Sequence, residues 1–396
     1  MTFHKWQRMK KRSYWKKIKK LDERLKIPSL KSKKYYKIKK YEQRKSKKNK
    51  NNIKKNENRT IINIDLKSYI NFKHNANDLV FVTKKIKNSL KDIKRKRFII
   101  DHSNIKNASV GGLLYLVGQI SKITRTKYSS TKYDLNYNKK YGLDKNNKKL
   151  KYLFYKIGYW KYFGISKPYK INIRTQKEYF LAIESHNQNK INLLNNIKKF
   201  INSNVGLFKN NYMLEYKFDD IVKEAMGNSL EHAYCENFDE IGKEKGRWWI
   251  CGHFDKKDKI LEILFYDYGI GIRASMKKNL GEEAKIALID KFSDSYLRND
   301  AELIEMAIRG DLSKYKNYKE HDRGKGFKRF QDFAMSSGYN CELTVISNKG
   351  KYQFNYDIIG DTSNVQKEVL SDNIDGMLIK WRIELGESDG RDNGSS

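Results

Sequence analysis

An apolar run from Lys259 to Phe265 (KILEILF) leads directly into Tyr266-Asp267-Tyr268-Gly269-Ile270-Gly271. A run rich in branched and aromatic side chains that ends in paired glycines reads as a strand leaving a sheet through a tight turn. Glycines at 269 and 271 carry no side chain, so the backbone there can come close to a flat ligand. Asp267, at the strand's end, can accept a hydrogen bond from an exocyclic amine such as that of adenine. In isolation an ordinary Asp-Gly turn reads the same way, and the segment gains meaning from what precedes and follows it.

Upstream, Asp219 to Tyr234 (DDIVKEAMGNSLEHAY) reads as a helix. Val222, Ala225, Met226, Leu230 and Ala233 recur at helical spacing as a buried stripe, with Asp219 or Asp220 as the expected N-terminal cap. Glu224 and Asn228 fall one turn apart on one face. A carboxylate beside an amide oxygen suits two tasks, polarising a water or hydroxyl and helping to hold Mg²⁺. A surface helix with one polar face gives the same pattern. Downstream, His321-Asp322-Arg323-Gly324-Lys325-Gly326-Phe327-Lys328 opens a helical run over Arg329 to Ser336. A glycine turn at a helix start presents free N–H groups to an anion, and Arg323, Lys325 and Lys328 add positive charge. Neither the Walker A spacing nor the GxGxxG fingerprint is present.

Taken in order, a helix with ExxxN, a strand with DxGxG, a long variable segment, GxG before a helix, and closing strands (Cys341 to Ser347, Lys351 to Asn355, Gly376 to Ile383) resemble the N box, glycine boxes and ATP lid of the GHKL (Bergerat-fold) ATPases. The N box EAMGNSLEHA is similar to that of anti-sigma-factor kinases. The resemblance implies an α/β sandwich, a mixed or antiparallel sheet with helices on one face, binding ATP and Mg²⁺. It implies Glu224 as general base, Asn228 as Mg²⁺ ligand, Asp267 as adenine contact and His232 as a pocket residue. Gly269 and Gly271 would shape the base pocket, and Arg323, Gly324, Lys325, Gly326 and Lys328 would hold the phosphates. The lid would run from Arg273 to Asp322. The chain departs from the pattern at GKGFKRF, where Phe327 stands for the usual leucine, and at Gly376-Met377, where the family commonly has a GT-type strand.

Ahead of this domain, expected over 201–386, the strand-like Ile61 to Asp65 and Phe98 to Asp101 and the apolar helix Val110 to Ile123 form a βα pattern. The stretch 61–200 resembles a smaller STAS-like α/β module, with a Lys/Asn-rich insertion near 127–151, a helix over Tyr152 to Ile165 and a strand over Lys170 to Arg174. Ser109 stands where STAS proteins can carry a phosphorylatable hydroxyl, although a Ser at such a position is more often simply a helix N-cap. The first 60 residues hold 25 Lys and Arg against 4 Asp and Glu, over half of the net charge of +38. Interleaved with Trp6, Tyr14, Trp15, Tyr35 and Tyr36, they read as a flexible basic arm able to bind nucleic acid. Heavy use of Lys, Asn, Ile and Tyr throughout is also what AT-rich codons produce, so a purely compositional arm stays open. Residues 387–396 are expected to be a disordered tail.

Cys235, Cys251 and Cys341 are far apart and lack metal-ligand spacing, and no apolar run has signal-peptide or membrane-span length. The expectation is a cytoplasmic protein with free thiols and no membrane partner. Three functions follow from these readings. The first is a regulatory ATPase or switch with a protein partner, for which a dimer is admissible. The second is a serine/threonine kinase acting on a STAS-type partner. The third is a nucleic-acid-binding protein in which nucleotide serves as clamp or sensor.

Overall fold

The computed structural model describes residues 60–72, 76–90, 96–125, 142–163, 165, 177–188, 190–209, 211–231, 233, 246–267, 269–279, 286, 299–310 and 326–386. Its centre is a five-stranded antiparallel sheet in the order β5 (Glu178–His186), β6 (Trp248–Asp255), β7 (Ile260–Asp267), β9 (Thr362–Glu384), β8 (Asn340–Asp357). Side chains alternate across a strand, so each strand contributes to two cores. Trp248, Ile250, Leu261, Ile263, Phe265, Leu343, Val345, Ile379 and Trp381 fill one face. Trp249, Cys251, Leu264, Tyr266, Ile346 and Leu378 fill the other. A sheet buried on both sides explains why β7 reads as a near-continuous apolar run instead of an alternating one.

The front face is covered by α4 (Ile191–Asn204), α5 (Tyr212–Glu231), α7 (Asp300–Ile308) and α8 (Gly326–Ser336), with α6 (Gly271–Asn279) at the sheet's end. The back face is covered by the N-terminal segment. There β1 (Thr60–Asp65) pairs in parallel with β3 (Lys96–Asp101), and the short β2 (Tyr69–Ile70) pairs in parallel with β4 (Asn107–Ala108). Helices α1 (Ala76–Leu90), α2 (Val110–Arg125) and α3 (Lys148–Lys156) and a 3₁₀ turn over Tyr159–Phe163 complete this layer. Every residue of α2 from Val110 to Ser121 is buried, as a helix apolar on nearly every side must be. The amide of Gln119 donates to Tyr266 Oη at 2.6 Å, and that hydroxyl donates to the Asp375 carbonyl at 2.8 Å. The N-terminal segment and the back of the sheet therefore share one core.

Several expectations change accordingly. The sheet is wholly antiparallel, one of the two arrangements expected, but helices cover both faces, not one, because the back face is apolar and must itself be buried. Helix α5 begins at Tyr212, capped by the Asn211 side chain accepting from Leu214 N–H at 2.9 Å, so neither Asp219 nor Asp220 is the cap. Asp219 instead pairs with Lys198 at 3.1 Å. The helix expected over Tyr152 to Ile165 starts earlier, at Lys148, inside the expected insertion, where the Asn147 side chain caps it. It ends at Lys156, just before Gly158, whose φ of 75° lies in the left-handed region. The two strands expected at 341–347 and 351–355 are one bent strand, β8, with irregular pairing between Ser347 and Gly350. Strands β5 and β6 and helices α1 and α4 had no counterpart in the sequence reading. Lys170 to Arg174 and the basic arm lie outside the described residues, as does Cys235, while Cys251 and Cys341 are buried free thiols. Among the described residues no helix is long and apolar enough to cross a membrane.

Candidate functional site

Helix α5 buries Phe218, Ile221, Val222, Ala225, Met226 and Ser229 against the sheet and leaves Asp220, Glu224 and Asn228 half-buried along one stripe. The four-residue spacing of those three makes the stripe, since one turn of helix separates neighbours. Helix α8 lies across it. A β-carbon at Gly326, the first residue of α8, would fall 1.6 Å from Glu224 Oε1, so any side chain there would have to displace the carboxylate. One turn further on, Arg329 Nη1 lies 3.3 Å from Asp220 Oδ1 and 3.5 Å from Glu224 Oε2. Phe330 and Phe333 anchor α8 in the front core, with Phe333 packed on Phe218.

At its other end α5 meets the exit of β7. Asp267 is 1% exposed and accepts from Gly269 N–H at 2.9 Å and from Ser229 Oγ at 3.3 Å. Burial raises its pKa to about 7, against the opposing effect of those two donors. Ser229 Oγ also lies 3.1 Å from the Ala225 carbonyl. A hydroxyl has one proton, so a protonated Asp267 donating to Ser229 would let the serine serve Ala225. Gly269 rests on Ala233, two residues beyond the end of α5: its β-carbon would be 2.2 Å from the Ala233 carbonyl oxygen, which accepts from Ile270 N–H at 2.6 Å. The side-chain amide nitrogen of Asn228 is buried and has no hydrogen-bond partner among the described residues.

The glycine turn then opens α6. Gly271 has φ 74°, and Ile272 N–H and Arg273 N–H are received by Ser347 Oγ at 2.9 Å and Asn348 Oδ1 at 3.3 Å, both from β8. Ser347 Oγ donates in turn to the Gly376 carbonyl at 3.1 Å. In the sheet Met377 stands opposite both Asp267 and Ser347. Arg273 Nε lies 2.7 Å from Asp300 Oδ1, tying α6 to the start of α7, and Asp300 Oδ2 accepts from Lys349 N–H at 3.1 Å.

The fold thus brings Glu224, Gly326 and Arg329 together, and separately groups Asp267, Gly269, Gly271 and Ser229 at the far end of the same helix. Lys328 is exposed on α8. His232, Arg323, Gly324 and Lys325 lie outside the described residues. Ser229, Arg329, Asp220, Ser347 and Asn348 were not singled out for these contacts. The first three stand next to Asn228, one turn after Gly326 and one turn before Glu224, and were open to a helical-wheel reading. The two from β8 are far away in sequence and gave no such signal. The chain matches no known protein family, no curated protein and no solved structure.

Proposed function

We propose that the chain binds Mg·ATP as a GHKL-type regulatory ATPase or switch. The observation that carries the reading is the seat of Gly326 on Glu224, which sets a helix N-terminus, able to hold an anion, against a carboxylate able to take a proton. The remaining residues fit the ligand. Asp267 is a buried carboxylate at a glycine turn, suited to an exocyclic amine. Asn228 has an amide nitrogen without a partner among the described residues, and its oxygen is a hard donor of the kind Mg²⁺ takes.

Bound Mg·ATP supplies the transferable phosphoryl group and the cation that offsets its charge. The base is oriented by Asp267, and the glycines at 269 and 271 let the backbone approach it. Glu224 accepts the proton of the attacking oxygen, whether that oxygen belongs to water or to a protein hydroxyl. The N–H groups at the start of α8 hold phosphate oxygens, and Arg323, Gly324 and Lys325 immediately precede that start in sequence.

The N-terminal layer supports a STAS-like reading through its parallel β1 and β3 and through Ser109, which caps α2 by accepting from Gly112 N–H at 3.1 Å. A cytoplasmic location and a protein partner belong to the same proposal. The test is calorimetry of Mg·ATP on the full chain, since the sheet and the N-terminal layer share a core. Wild type is expected to bind, and Asp267→Asn and Asn228→Ala to lose at least about tenfold, or about 1.4 kcal/mol. A wild type that does not bind ends the reading. Label from γ-phosphate released as free phosphate marks an ATPase; label retained on a serine or threonine marks a kinase. Steeply salt-dependent binding of DNA or RNA, lost on deletion of residues 1–59, would add nucleic acid as partner.

A further inference from the structure

Building on the nucleotide reading, we propose that Arg329 is a positioning residue for Glu224 and that Asp220 moderates its effect. The Glu224 carboxylate lies between two residues of α8: Oε1 occupies the space that a β-carbon at Gly326 would fill, and Oε2 faces Arg329 Nη1 at 3.5 Å. The guanidinium is shared, because the same nitrogen lies 3.3 Å from Asp220 Oδ1 and 3.3 Å from its Oδ2. Asp220 and Glu224 are one turn apart on α5, and Arg329 is one turn after Gly326 on α8. A single cation therefore clasps the two helices at the point where the carboxylate meets the helix start.

The arrangement has a chemical consequence. A cation bound to Glu224 alone would fix it but depress its basicity, which disfavours proton acceptance. A second carboxylate on the same cation returns part of that basicity while leaving the geometry intact. Among the described residues, the charged groups at this contact include Asp220 on the same helix as Glu224 and Arg329 on α8; Arg323 and Lys325 precede Gly326 in sequence. Arg329 and Asp220 are 42% and 35% exposed at their side chains, so either can be replaced without opening a core.

The test uses the full chain and two readouts. In the first, Mg·ATP affinity and turnover, as phosphate released or transferred, are compared for wild type, Arg329→Gln and Arg329→Lys. Arg329→Gln should keep affinity within about twofold and lose about tenfold to a hundredfold in kcat, with partial recovery in Arg329→Lys. In the second, run without nucleotide, glutamate carboxyls labelled with ¹³C are titrated by NMR, the Glu224 signal being identified by its loss in Glu224→Gln. Arg329→Gln should raise the Glu224 midpoint and Asp220→Asn should lower it, each by about half a pH unit or more. Retained affinity in Arg329→Gln shows that the variant is folded. Unchanged kcat and an unmoved midpoint in that variant would overturn the positioning role, as would shifts of the same sign in both variants. A wild type that fails to bind Mg·ATP would mark failure of the nucleotide reading itself, and the titration still reports on the clasp.

Discussion

Gly118 on α2 faces Tyr266 on β7 so closely that a β-carbon at position 118 would lie 2.3 Å from Tyr266 Cε1. Tyr266 precedes Asp267, and strand alternation points the two to opposite faces. The N-terminal layer therefore packs directly behind the candidate base-binding carboxylate. Gly118→Ala must push a buried ring held by Gln119 and Asp375. A destabilisation of about 1–3 kcal/mol is expected, the usual cost of overpacking. Urea unfolding followed by tryptophan fluorescence checks it; an unchanged midpoint would show that α2 stands off from the sheet.

Gly271 and Gly227 form a contrasting pair. At Gly271, φ of 74° and a would-be β-carbon 2.5 Å from Asn348 Oδ1 both oppose a side chain. Gly271→Ala should cost about 1–2 kcal/mol for the left-handed backbone alone, and should weaken Mg·ATP binding by displacing the cap of α6. Gly227 lies inside α5 with nothing within 4 Å of its would-be β-carbon. Gly227→Ala should gain about 0.5–1 kcal/mol from helix propensity. Paired thermal melts and calorimetry separate the two.

Asp267 makes stability depend on pH. Its folded pKa of about 7 lies above the ordinary 3.8, so the folded state keeps a proton that the unfolded state has lost. The unfolded chain then binds fewer protons, and stability falls as pH rises from about 4 to about 7, by at most about 1.4 kcal/mol per unit. Below that window the group is neutral in both states and costs nothing. Urea midpoints at pH 5 and pH 8 should differ more in wild type than in Asp267→Asn. Equal differences would show that the carboxyl is not buried in this way.

Asp300 is 5% exposed and holds both Arg273 and Lys349 N–H. Asp300→Ala leaves a guanidinium that is 15% exposed without this carboxylate, and should cost about 3 kcal/mol. Asp300→Asn keeps an oxygen for Lys349 N–H and should cost less. Hydrogen exchange should rise in 271–279 and 300–308 together; a rise in one helix alone would separate them.

Local elements were legible where period and punctuation agree. The apolar run of α2, the polar stripe Glu224–Asn228 on α5, the strand ending at Asp267 and the helical run from Arg329 to Ser336, which the fold begins three residues earlier at Gly326, all follow from residues within two turns of each other. The start of α5 was misplaced because Asp219 and Asp220 look like caps, whereas Asn211, eight residues earlier, does the capping and their charges go to Lys198 and Arg329. The antiparallel pairing of β9 between β7 and β8 was not legible, because register is set by partners more than a hundred residues away in the case of β7.

By itself the sequence determined the helical character of α2, α5 and α8, the strand character of β1, β3 and β7, the apolar stripe of α5, and where glycine punctuates the chain, since these depend on neighbouring residues and backbone sterics. Only the tertiary structure decided that α2 closes the back of the sheet, that Arg329 meets Glu224, and that Asp267 is buried deeply enough to hold a proton near neutral pH. Periodicity says that a side chain is turned inward, but burial and ion pairing are properties of the partner it finds there, and that partner comes from another part of the chain.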